Sequence, residues 1–443
     1  MTSAARRLRV FRSIFNVRRS EIGPVLVAAL FFFCVLTALM VLRPARDALG
    51  MERGIESIRW LFLGTALVTL AVNPMFGWLV SRFKPLQFIG ATYGFFVASL
   101  VGFWALLTFA PSAIGQGSGQ VFYVWFSVFN LFATMVFWAL LADRFTTDQG
   151  KRFFSVISVG GTFGAIFGPW LTSQLAAPLG TPNLLLVAGG FLLIALVAAR
   201  QLLRMAPDRK DVLASGAAPR IERNEHVGGS AFAGLSAVFR SPYLSGIAVY
   251  IMLMTVITSI IYFTRLQMVA AVADGTDARA ALFGSIDMWT QVAVLGLQLT
   301  LTGKIIQRFG LGVALAILPV ATALGFVGLA IYGSFSVLIL LEATSRAIQR
   351  GITRPAREAL FTAVSREDKY KAKAFVDTFV YRAGDVVGAQ TEGALGRMGL
   401  ALGSLVGVVV PMAIAWAALG LWLGRAQTRQ PDAEPSALPL PVR

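Results

Sequence analysis

Two residue types are almost missing from this chain of 443: it holds one cysteine, Cys34, and one histidine, His226. A lone cysteine closes no intrachain disulfide and builds no thiolate cluster. A lone histidine in a hydrophilic stretch excludes a histidine-based metal site or catalytic triad. Charge is scarce too, at 14% of residues against about 25% in soluble domains. No Gly-x-x-x-x-Gly-Lys-Ser/Thr sequence occurs, which removes the usual route to ATP hydrolysis. With no nucleophile, base and metal set in view, the chain is expected to be no enzyme and to need no cofactor or metal.

What the chain has is apolar length: 56% of it is hydrophobic and the mean hydropathy is +0.71. A helix needs roughly 20 apolar residues to cross about 30 Å of hydrocarbon. Twelve runs qualify: 22–42, 58–80, 86–109, 120–142, 153–177, 183–204, 243–266, 280–302, 310–332, 334–357, 373–396 and 399–423. The run 334–357 is apolar only in its first third, and 373–396 carries several charges. The expected fold is an all-α polytopic membrane protein with twelve transmembrane helices in two pseudo-symmetric six-helix bundles. The layout is 1–204 for the N-terminal bundle, 205–242 for a cytoplasmic linker with one surface helix near 231–240, 243–424 for the C-terminal bundle and 425–443 for a cytoplasmic tail.

Lys and Arg collect in cytoplasmic loops. With both termini cytoplasmic, 31 of the 39 basic residues fall inside and seven outside (Arg43, Arg46, Arg53, Arg59, Arg265, Arg279, Arg397), leaving Arg382 within a span. The net charge of +17 therefore reflects topology in a bilayer, and no nucleic-acid partner is expected. The run 22–42 is too long for a signal-peptide core and leads into Arg43-Pro44 instead of a small-residue cleavage site. It is read as a retained first span of a protein in a bacterial-type inner membrane.

Internal similarity supports duplicated halves. At an offset of 220, Lys151 matches Lys371, Gly164 matches Gly384, and Gly168 matches Gly388. At 226, Gly77-x-x-x-Ser81-Arg82-Phe83 matches Gly303-x-x-x-Gln307-Arg308-Phe309. That second pair resembles the Gly-x-x-x-Asp-Arg-x-Gly loop of the major facilitator superfamily, with Ser81 and Gln307 in place of the Asp. The resemblance implies two bundles around a midplane cavity, lined mainly by spans 1, 4, 7 and 10 and working by alternating access.

Ionisable residues in a span cost about 2.5–3.5 kcal/mol by insertion scales, so they mark water-facing or paired positions. Arg43, Arg46 and Asp47 end span 1, with Arg43 and Arg46 on one face. They read either as an interfacial anchor whose arginines snorkel or as an anion-binding outer gate. In span 10, Glu342, Arg346, Arg350, Arg354 and Arg357 fall within an arc of about 120° if the helix is uniform, followed by Glu358. This stripe either lines the cavity or lies on the membrane surface as an amphipathic helix. In span 11, Asp377 and Asp385 share a face, and Arg382 to Asp385 is an i, i+3 pair. They serve either helix packing or gating. The glycines 160, 161, 164, 168, 384 and 388 have the spacing of close helix packing, and Gly115-Gln116-Gly117-Ser118-Gly119 reads as a turn between spans.

Three segments resemble the ATP/ADP translocase family of bacterial and plastid nucleotide transporters: LRPARDALG (42–50), FWALLADRFTTDQGKRF (137–153), and the stretch 353–390 with its basic-Glu pair, Lys-Ala-x-x-Asp and Arg-x-Gly. The resemblance implies nucleotide exchange, with important basic residues at Arg46 and Arg357, and Asp377, Arg382 and Gly384 also match. Where that family has lysines, this chain has Arg46, Arg357 and Asp385. No acid lies in 120–142, and near span 8 only Asp277 and Asp287 are close.

The leading expectation is a secondary transporter of an anionic solute, phosphorylated or nucleotide-like. Arg43, Arg46, Arg346, Arg350, Arg354, Arg357 and Arg382 would bind it, and Asp47, Glu342, Glu358, Asp377 and Asp385 would gate or couple. Its partners would be that small molecule and the lipid bilayer, with no protein partner. The alternatives are a proton-coupled exporter of cationic or neutral compounds and a non-transporting membrane scaffold or sensor.

Overall fold

The computed structural model describes residues 21–82, 85–110, 112–205, 231–300, 302–398 and 402–429. The linker residues 206–230 and the tail from 430 onward, read from the sequence as cytoplasmic, lie outside them. No strand occurs among the described residues. Six long helices come first: α1 (Ile22–Gly50), α2 (Ile55–Arg82), α3 (Pro85–Phe109), α4 (Ser112–Arg144), α5 (Thr147–Leu179) and α6 (Thr181–Met205). A short helix, α7 (Ala231–Arg240), precedes α8 (Pro242–Val272), α9 (Thr276–Thr300) and α10 (Thr302–Tyr332). The tenth span is a composite rod: α11 (Phe335–Ile348), a π turn (Gln349–Thr353) and α12 (Arg354–Leu360). The eleventh has the same plan, with α13 (Arg366–Phe375), a π turn (Val376–Val380) and α14 (Tyr381–Arg397). α15 (Leu402–Arg429) ends the described chain.

Nine of these helices are apolar and long enough to cross a bilayer by composition alone. α9 and the two composite rods fall outside that set and carry buried acids: Asp287 on α9, Glu342 on the first rod and Glu392 on the second. The chain is an integral membrane protein of the all-α, twelve-helix kind.

The described chain divides into two compact units, Met1–Arg223 with Val269–Gln291, and Asn224–Met268 with Val292–Arg443. Residues 269–291, the end of α8 and the first half of α9, thus belong with the first unit. There they are tied down by polar contacts: Thr276 Oγ1 donates to Glu52 at 2.9 Å, and Asp277 accepts from both the amide and the hydroxyl of Thr181 at 2.6 Å.

Glycine sets the closest helix approaches in each unit. In the first, Gly160, Gly164 and Gly168 of α5 lie on the bare backbone of α1. A Cβ on Gly168 would stand 2.7 Å from the Thr37 carbonyl oxygen, and one on Gly160 or Gly164 would overlap the carbonyls of Ala29 or Phe33. In the second, a Cβ on Gly388 of α14 would stand 2.6 Å from the Val256 carbonyl oxygen of α8, and Gly384 lies against Thr255 and Met252. Thr37 and Val256 are 219 residues apart, and Gly168 and Gly388 are 220 apart. The same kind of seam therefore recurs at offsets within one residue of each other, with the glycine spacing of small-xxx-small packing.

Two sequence readings change here. Gly115 to Gly119 is no turn: it forms the opening turns of α4. Gly119 sits there because a Cβ would press to 3.2 Å on the Leu49 carbonyl oxygen. Nor does 346–360 lie apart as a surface helix. Ile348, Ile352, Ala356 and Leu360 are buried in the core of the second unit.

Candidate functional site

In the first unit, α1 does not end at Arg43. It runs on through Pro44 to Gly50, and Pro44, Ala45, Asp47, Ala48 and Leu49 are buried. Charges survive at this depth because each has a counterpart. Arg46 Nε donates to Asp47 Oδ1 at 2.9 Å, and its guanidinium lies 4.5 Å from the ring centre of Tyr123 and 5.1 Å from that of Phe126, both on α4. This stacking suits a weakly hydrated guanidinium removed from water. Arg43 pairs with Asp287 of α9 at 3.6 Å, where the Asp287 side chain is only 2% exposed. Both arginines are drawn into the unit instead of snorkelling to an interface. Asp287 is one of the two acids that the sequence places near span 8.

The second unit gathers the remaining predicted residues on the two composite rods. Glu342 on α11 accepts from Arg346 one turn away and faces Arg265 of α8 at 3.3 Å. Two residues on from Arg265, Gln267 points to the other side of α8 and donates to Glu392 of α14. Arg350 lies half-buried inside the first π turn and Arg354 is exposed just beyond it. Arg357 on α12 stands 3.7 Å from Asp377 and 3.5 Å from Glu358, and Lys373 also binds Glu358. The Nε of Arg357 is buried and finds no acceptor among the described residues. Arg382 and Asp385 form their i, i+3 pair at 3.5 Å.

The single cationic stripe expected over 342–357 is broken. A π turn closes i to i+5, so it absorbs about one extra residue and turns the helix back by about 100° against an unbroken α phase. Glu342 and Arg346 therefore face α8, while Arg357 is turned toward Asp377, itself within the π turn of the eleventh span. The uniform 100° step used in reading the sequence could not register that shift. Arg265 was missed outright, because it sits at the edge of an apolar run and reads as a loop residue. Its side chain is in fact wholly enclosed. Its signal was being the only charge in 31 residues of α8.

The sequence RPARDAL at 43–49 returns as RPAREAL at 354–360, and each copy lies inside a long helical rod with its second arginine next to an acid. Ser81 and Gln307, at the degenerate loop positions, have side chains outside the described set.

Residues 25–348 match the Major Facilitator Superfamily. The chain belongs to that superfamily. Among curated proteins, the chain is similar to the ADP,ATP carrier protein 1 of Chlamydia trachomatis serovar D, 23% identical over 93% of this chain and 89% of its own. Among solved structures, the POT family transporter PepTSo superposes with a TM-score of 0.65 at 13% identity, covering 92% of this chain and 99% of its own. A D-xylose-proton symporter gives 0.61 at 13% identity over 94% and 99%. This major facilitator is accordingly a secondary transporter of a small molecule, and its fold is shared with proteins of differing cargo.

Proposed function

We propose that this major facilitator moves an anionic solute, phosphorylated or nucleotide-like, by exchange or ion coupling through alternating access, with both termini cytoplasmic. The observation that carries the reading is Arg357. It is largely buried at 13% side-chain exposure, is flanked by carboxylates on its own rod and on the next, and keeps a buried N–H that meets no acceptor among the described residues. A guanidinium in this setting offers paired donors to carboxylate or phosphate oxygens. The acids around it are each engaged by a cation, which argues for an anion as the exchanging species. The relative named an ADP,ATP carrier supports the nucleotide-like end of the range.

The test is counterflow in proteoliposomes loaded with nucleotides, sugar phosphates and organic dicarboxylates. Uptake of at least one labelled anion is expected, and Arg357→Ala should lower it at least tenfold. Export of cationic compounds that collapses with the proton gradient, without anion exchange, would replace the proposal with the exporter reading.

A further inference from the structure

The triad Arg265, Glu342 and Arg346 has a charge arrangement that simple helix packing does not call for. Two guanidinium groups from different helices converge on one oxygen, Glu342 Oε1. The second oxygen, Oε2, is buried and accepts no hydrogen bond among the described residues. A carboxylate held for packing alone would use both oxygens, since an unmet buried acceptor is destabilising. The three members also differ in access. Side-chain exposure is 0% for Arg265, 2% for Glu342 and 15% for Arg346, so a solute could reach only Arg346.

From this we infer that Glu342 is a built-in competitor for the solute at Arg346, and that Arg265 is the positioning residue that lets it yield. This rests on the anionic-solute reading above. Without solute, Glu342 binds Arg346 and keeps that guanidinium satisfied. When an anion takes Arg346, Glu342 would be left as a buried lone charge, which is strongly unfavourable. Arg265 removes that obstacle, because the carboxylate keeps one full counter-charge throughout. Arg265 touches no solute, and its effect is to weaken the hold of Glu342 on Arg346.

The inference predicts opposite signs for two changes. Arg265→Gln leaves Glu342 with Arg346 alone and should raise the half-saturating concentration of anion by about tenfold, the worth of one charge-assisted contact. The double variant Arg265→Gln with Glu342→Gln is balanced in charge and removes the competing carboxylate of Glu342 from Arg346. It should bind about tenfold more tightly than wild type. ADP, inorganic phosphate and citrate serve as probes, read by protection against thermal unfolding of the full chain in detergent. A packing role would instead give lowered stability with affinity unchanged, or weakened in both variants. Should Arg265→Gln fail to fold, the double variant decides alone: binding no tighter than wild type overturns the inference. If none of the probes protects wild type, the anionic-solute reading itself falls and takes this inference with it.

Discussion

Arg357, in the first helical turn after one π turn, lies 3.7 Å from Asp377, inside the other. Two neighbouring rods are thus joined where each departs from α geometry, and departures of this kind concentrate at functional sites. Arg357→Ala should lower anion transport at least tenfold, in line with about 1.5–3 kcal/mol for a hydrogen bond to a charged group. The charge-exchanged pair, Arg357→Asp with Asp377→Arg, should regain thermal stability but not transport. Recovery of transport in that pair would reduce the arginine to a fastening.

The seams between α1 and α5 and between α8 and α14 should tolerate nothing larger than hydrogen. Gly164→Ala and Gly388→Ala each force a methyl into backbone and should cost about 1–3 kcal/mol, as overpacking does. Gly396→Ala meets open space and should be neutral or mildly stabilising, since alanine favours helix over glycine. Melting curves of the three purified variants make the comparison directly.

Asp287→Asn removes the counter-charge of Arg43 while preserving shape. Arg43 is 22% exposed, so the loss should be smaller than for a fully enclosed pair, on the order of 2 kcal/mol. Replacing Arg43 as well, with Gln, should recover most of it. An additive loss in the double variant would show that the two residues are not coupled.

Glu52 sits in the connection between α1 and α2. Burial raises its pKa from the usual 4.5, and nearby Asp277 raises it further, against the lowering influence of the Thr276 hydrogen bond and Arg279. A carboxyl raised in the folded state binds its proton there more firmly than in the unfolded chain. Its contribution is complete below pH 4.5 and is lost as pH rises through the folded value. The melting temperature of wild type should therefore fall over that interval relative to Glu52→Gln, whose curve should be flatter.

The twelve helices and the glycine seams were legible because both are local: apolar length is written residue by residue, and the seam is a spacing of four. The order of the charged groups was less so. Arg265 looked like a loop residue because a charge at the edge of an apolar run carries no sign of the acid awaiting it 77 residues later. Arg43 and Arg46 looked like a helix end for the same reason, since Asp287 and Tyr123 belong to other helices. The stripe of the tenth span was misjudged in phase because a π turn has no fixed residue signature.

The glycine seams recur in both halves, yet the arginine-rich rods occur in one. Contact between bare backbones records no side-chain identity, so those joints hold whatever charge is written on the helices beside them. On the anionic-solute reading proposed above, scaffold and selectivity thus occupy separate positions in this chain. A new cargo would call for rewriting the tenth and eleventh rods and leaving every interhelical glycine alone.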